Sequence, residues 1–344
     1  MNEPLTQSSP HISGARDIRW SMNQVLIALV PGICVYVVLF GPGILIHLAI
    51  AAATALVLEN LALRWQRIDP QPFLHDGSVL VLACLVTLAI PPYAPWWVTV
   101  LGVAFAVLIG KHAFGGLGHN IFNPAMVGYI FLLLCFPRIM GQWPAAGLDA
   151  GSRGLIDSAS LIFTSALDSI DGRSGATALD HVKTQATLMR MQSEMHADNI
   201  LGLLGGRGWE WINVAFLAGG GWLLFRRVVR WRLPLSFLGG LGLAASIGFI
   251  SDPELHRGLW FHFLTGAGLL AAFFIVTDPV SSATTPKGML VFGFGAGVCT
   301  YLIREFGSYP DGVAFAIVLM NACAPLIDRL TQPRLYGTQT KETK

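Results

Sequence analysis

Two stretches decide how this chain folds: SVLVLACLVTLAIPPYAPWW, residues 78–97, and LLAAFFIVTDPVSSATTPKGML, residues 269–290. Each is an apolar run cut short, the first by Pro91 and Pro92, the second by Asp278 and Pro279. Proline removes a backbone donor and clashes with the preceding helical turn. Backbone groups freed at membrane depth must then find partners inside the protein or in a wet cavity. Both stretches therefore read as half-helices with exposed ends.

A membrane span needs about 20 apolar residues. By that measure the chain carries about ten spans: 22–40, 44–63, 78–90, 96–110, 122–136, 212–225, 235–250, 259–276, 290–303 and 313–327. A long polar stretch, 137–211, parts them five and five, and the two interrupted runs are the third of each set. An odd number of spans forces the second set to enter from the opposite side, so an internal repeat here must be inverted. Matching short, Gly/Pro-broken segments in two inverted halves point to a binding region near the midplane. The expectation is an all-α polytopic membrane protein of two inverted five-helix halves with broken helices. Its parts are a cytoplasmic segment 1–21, a first half 22–136, an extracytoplasmic loop 137–211, a second half 212–328 and a cytoplasmic tail 329–344.

Composition agrees. Of 344 residues, 53% are hydrophobic and 12% charged, about half the charge of a soluble globule. A net charge of +2 is too small to imply nucleic-acid binding, and the apolar composition makes the lipid bilayer the expected partner. The basic residues matter by position. Arg16, Arg19, Arg64, Arg67, Lys111, Lys287 and the run Arg226, Arg227, Arg230 and Arg232 fall on one side. That side also holds both termini, which places 137–211 outside. The five cysteines all lie in apolar segments without a CxxC pair, which fits small buried hydrophobes rather than a metal or iron–sulfur site.

Three polar motifs could carry chemistry. KHAFGGLGHNIFNPAMVGY, residues 111–129, gathers Gly116, Gly118, Asn120 and Asn123 at the entry to the fifth span. Glycines let backbone approach a ligand, and Asn amides both donate and accept; a tight turn capped by Asn123 before Pro124 is the structural alternative. TDPVSSATTPKG, residues 277–288, offers Thr277, Asp278, Ser282 and Thr285 on the same side, either as a pocket or as partners for broken backbone. DGRSGATALD, residues 171–180, is a small exposed turn in the outer loop, where Thr177 could cap a helix starting at Ala178. Met189, Met191 and Met195 in 185–198 read as a short amphipathic helix.

Taken together with YPDGVAFAIVLMNACAPLIDRLTQPRLYG, residues 309–337, these motifs resemble a family of membrane flavoproteins. It comprises the D component of Rnf electron-transport complexes and the B component of sodium-translocating NADH:quinone oxidoreductases. The resemblance runs from Ser8 to Tyr336, and the compact N-terminus is similar to the Rnf branch. It implies that Thr177 carries FMN through a phosphodiester bond, with Asp171, Ser174, Gly175 and Ala176 forming the motif read by a flavin transferase on the outer face. It also implies a second, noncovalent flavin, riboflavin in the quinone reductase, near the cytoplasmic side. Gly116, Gly118, Asn120, Asn123, Thr277, Asp278, Ser282 and Thr285 are its candidate residues. The other Rnf subunits (A, B, C, E and G) in the bacterial inner membrane are the implied partners, and coupling of ferredoxin and NAD redox to Na+ or H+ movement is the implied work. GLLGGRGWEW, residues 202–211, departs from the family pattern, matching only at Gly206, Gly208 and Glu210. A solute channel or permease of urea- or ammonium-channel-like architecture, without redox function, fits the repeat equally well.

Overall fold

The computed structural model describes residues 17–144, 146–147, 154–164, 174–175, 177–188, 200–309 and 311–332. All ten apolar runs are helical. Spans 1 and 2 are Ile18–Phe40 and Gly43–Trp65; span 3 is Ser78–Leu88. Span 4 starts as Trp96–Phe105 and passes through a π-helical stretch, Ala106–Lys111. Span 5 is Pro124–Cys135. Spans 6 and 7 are Trp209–Phe225 and Arg232–Ser251. Span 8 is broken into Leu259–Leu264, Gly268–Leu270 and a π-helical turn, Ala271–Ile275. Spans 9 and 10 are Pro286–Phe306 and Val313–Thr331. Among the described residues, six helices are long and apolar enough to cross a membrane by themselves.

Local chemistry sets the ends. Asp17 caps span 1 by accepting from Trp20 N at 2.7 Å, so that helix begins four residues before the apolar run. Asn123 and Thr285 cap spans 5 and 9, each followed by Pro at the first helical position, where its missing N–H and fixed φ cost nothing. The helix surfaces are apolar all round, as expected of membrane helices. Ala28, Leu29 and Tyr36 of span 1 are buried, while Ile27, Val30 and Val38 are exposed toward the space lipid would fill.

The packing repeats between halves. Span 2 packs on spans 3 and 4, as span 7 packs on 8 and 9; span 4 packs on 5, as 9 packs on 10; span 1 packs on 3, as 6 packs on 8. The halves join through like elements, span 1 with 6 and span 5 with 10. At the first joint the chains come close enough that a Cβ on Gly219 would overlap the carbonyl oxygen of Ala28. Trp222 Nε1 also donates to Gln24 Oε1 at 3.0 Å across it.

The second interruption is more extensive than the sequence indicates. Span 8 breaks at Thr265–Gly266–Ala267, where Gly266 takes φ +62°, as well as at Asp278. Asn213 of span 6 bridges the gap, donating to Gly266 O at 3.0 Å and accepting from Leu269 N at 3.1 Å. Small residues supply no side-chain bulk to hold the helix together there, and a neighbouring amide satisfies the freed backbone.

Candidate functional site

The site is built where the polar loop returns to the broken helices. After span 5, Trp143–Pro144 forms strand β1 and pairs antiparallel with β2, Ser174–Gly175, in the register Trp143 with Gly175. The next described residue is Thr177, whose Oγ1 accepts from Asp180 N at 3.2 Å. It thereby caps the helix Ala178–Thr187. Asp171 and Ala176 lie outside the described residues, as do 189–198 of the expected Met-bearing helix. The Ala178–Thr187 helix is anchored through Leu179 and Val182, which pack with Phe261. Lys183 adds donation to the carbonyls of Gly307 and Tyr309. Burial lowers the Lys183 pKa below the ordinary lysine value, against the opposing pull of Glu305 and Asp180.

Thr177 stands at a cavity of about 350 Å³ between the halves. Asp180, Tyr309 and Asp311 line it together with Thr177; Leu88, Met126, Leu270 and Ile275 supply its apolar lining. The Thr265–Ala267 break lines it too. One side is aromatic: Trp209 packs edge-on against Trp143, with centroids 5.3 Å apart, and against Tyr36 at 6.5 Å. Behind Asp311, Arg304 is 3% exposed. It donates Nε to Asp311 Oδ1 at 3.1 Å and Nη1 to His262 O at 2.7 Å. A largely apolar cleft of this size with a few convergent polar groups is the usual form of a small-molecule site.

GLLGGRGWEW makes a hairpin clamped by Glu210. Its Oε1 accepts from Leu204 N at 2.6 Å and Gly205 N at 2.5 Å, and Gly206 N donates to Thr265 Oγ1 at 2.9 Å. Of the partial match, Gly206 thus holds the loop onto the break in span 8, Glu210 closes the loop on itself, and Gly208, with φ +80°, precedes span 6.

A second cavity, about 270 Å³, opens near the arginine-rich turn and includes Val228 and Val229. It brings together Asn120, Asn123, Thr277 and Asp278 from the two expected motifs, with Ser78 and Lys111 beside them. The remaining candidates do not line it. Gly116 and Gly118 shape the preceding turn, with φ of +94° and +89°. Ser282 N donates to Asp278 O at 3.3 Å. Thr285 caps span 9 and bonds Thr331. Asn123 caps span 5 and also reaches Ile275 O in the other half at 3.4 Å. Leu85 lines both cavities, and neighbours in sequence part between them: Ala125 and Phe274 line this one, Met126 and Ile275 the first.

Beside the second cavity lies a buried ionic cluster. Glu59 places Oε1 2.7 Å from Lys111 Nζ and Oε2 2.8 Å from His112 Nε2. Lys111 also donates to Ser78 Oγ at 3.2 Å. Among the described residues no group of three or more His, Cys, Asp or Glu side chains is arranged to hold a metal.

A profile of the NQR2, RnfD, RnfE family matches residues 5–337. The chain belongs to that family. Relatives include an Aeromonas hydrophila protein named as the D component of an ion-translocating oxidoreductase complex, 44% identical over 97% of this chain and 99% of the relative. The Escherichia coli (strain SMS-3-5) protein of the same name is 44% identical over 96% of this chain and 97% of its own length. Membership of the NQR2, RnfD, RnfE family fits the sequence motifs, which fall at both cavities. The first cavity is also lined by Tyr129, Trp209 and Asp311, which fall inside the stretches 111–129, 202–211 and 309–337 without standing out there, and by Tyr36, which lies outside every motif.

Proposed function

We propose that this chain is the flavin-bearing membrane component of an ion-translocating oxidoreductase complex of the Rnf type, with FMN esterified to Thr177. The observation that carries the reading is the position of Thr177, a half-buried residue that lines a cavity together with Tyr36, Trp143 and Trp209. Support comes also from the relatives, which are named as the D component of such complexes. FMN would supply a centre that accepts and releases one or two electrons.

The chain's own residues do the rest. Pairing of Gly175 with Trp143 and capping by Thr177 would hold the attachment point where a transferase can reach it. The start of the Ala178–Thr187 helix favours the negative charge of a phosphodiester. Trp143 and Trp209 keep water from one side of the cavity. The Arg304–Asp311 pair fixes the carboxylate at the rim beside the break in span 8.

On this reading the protein sits in a bacterial inner membrane with both termini cytoplasmic and 137–211 periplasmic, as the basic turn at Arg226, Arg227, Arg230 and Arg232 favours. It would work with the other Rnf subunits (A, B, C, E and G) after modification by a flavin transferase. The complex would couple ferredoxin and NAD redox to Na+ or H+ movement. The second cavity, with Asn120, Asn123, Thr277 and Asp278 on its wall, is the site we assign to a noncovalent flavin. That one residue, Leu85, lines both cavities favours one rival, a permease without redox function. Fluorescence of the denatured band, from protein made together with a flavin transferase, separates them. A bright wild type and a dark Thr177→Ala support the flavoprotein; a dark wild type supports the permease.

A further inference from the structure

The hydroxyl of Tyr36 is buried without a partner. The residue is 1% exposed, and its Oη makes no hydrogen bond among the described residues, yet it lines the Thr177 cavity. Leaving a buried hydroxyl unpaired is destabilising, so a phenylalanine would suit the empty space better. Phe40, one turn along in the same aromatic group with ring centroids 4.9 Å away, is such a residue. The Tyr36 ring is held between Phe40 and the edge of Trp209, so the hydroxyl cannot easily swing to a new partner. Something entering the cavity completes it.

We propose that Tyr36 is a positioning residue for the isoalloxazine ring, its O–H donating to an acceptor on the polar, pyrimidine-side edge. The inference rests on the covalent-FMN reading and deepens it. Thr177, Asp180, Tyr309 and Asp311 supply the polar lining, and Leu88, Met126, Leu270 and Ile275 an apolar one. A ring tethered by its phosphate end at Thr177 therefore meets in Tyr36 a fixed donor set among apolar and aromatic side chains. Electron density on the carbonyl and nitrogen acceptors of that edge rises on reduction, so a donor there favours the reduced form. No bond to the chain forms or breaks; the hydrogen bond only strengthens as the electrons arrive.

The test uses the full chain co-expressed with a flavin transferase and compares wild type, Tyr36→Phe and Tyr301→Phe. Tyr301 carries an equally unpartnered buried hydroxyl but does not line the cavity, so it controls for loss of a phenol as such. Denaturing-gel fluorescence first establishes attachment at Thr177; a dark wild type overturns the covalent reading itself, separately from this one. With attachment intact, Tyr36→Phe is expected to shift the visible flavin spectrum and move the oxidised–reduced balance about tenfold toward the oxidised form. For a two-electron couple that is about 30 mV lower in midpoint potential. Tyr301→Phe should leave both unchanged. A spectrum and potential unmoved, or a potential that rises, overturns the role of Tyr36. A second measurement uses the flavin-free Thr177→Ala chain, where adding Tyr36→Phe should hold or raise the melting temperature because an unpaired hydroxyl is removed. A clear loss of stability in that background, or failure to fold, makes the hydroxyl a structural group and also overturns the proposal.

Discussion

The ammonium nitrogen of Lys111 lies 2.7 Å from a carboxylate oxygen of Glu59, and neither side chain is more than 3% exposed. His112 takes the other carboxylate oxygen at 2.8 Å. Removing one member of a buried pair leaves an uncompensated charge, which costs about 3–5 kcal/mol. Glu59→Gln should therefore lower the melting temperature of the detergent-purified protein sharply. The double variant Glu59→Gln/Lys111→Met should recover part of the loss. Two losses that simply add would show that the residues do not act as a pair.

The joint between the halves depends on the missing side chain of Gly219. A Cβ there would overlap the Ala28 carbonyl oxygen, so neither helix can yield without moving backbone. Gly219→Val should cost at least about 1–3 kcal/mol, seen as lost folded yield on size-exclusion chromatography. Gly221, two residues along, faces open space, and Gly221→Ala should stay within about 0.5 kcal/mol of wild type.

Asn213 spans the break in span 8. Asn213→Ala would leave Gly266 O and Leu269 N without the amide they share, at about 1–3 kcal/mol for each buried group left unpaired. Asn213→Asp retains an acceptor for Leu269 N but no donor for Gly266 O. Both variants should be less stable to heat than the wild type. Equal stability of all three would mean that the break holds itself open.

Orientation is tested by accessibility. In a cysteine-free background, Ser174→Cys should react with a membrane-impermeant thiol reagent added outside spheroplasts, and Arg227→Cys should react only after permeabilisation. The opposite pattern would turn the protein over and place the Thr177 cavity on the inner side.

The fold was readable because lipid leaves few choices: an apolar run of sufficient length must be a helix, and all ten runs are. Their ends were less so. Span 9 begins at Pro286 rather than near 290 because Thr285 accepts from Gly288 N at 3.0 Å, and a cap of that kind looks like any other polar turn. The π-helical turn at Ala271–Ile275 leaves no mark in its apolar residues, and the break at Thr265–Ala267 is signalled only by Gly266 and Gly268, which weaken a helix without necessarily ending it. At the cavities, Asn123 and Asp278 come from motifs far apart in the chain yet share one wall, as their common side of the membrane implied. Ser282 and Thr285 share the motif but are spent on holding backbone and helix ends. Tyr36 and Trp209 meet only because spans 1 and 6 pack together, and no short-range pattern encodes that contact.

A single ester bond at Thr177 separates a flavoprotein from a pore. Peptide mass spectrometry of the mature chain, made with an active flavin transferase, should find the segment holding Thr177 heavier by one esterified FMN, with the added mass localised to that side chain. An unmodified Thr177 under those conditions would contradict the flavoprotein reading.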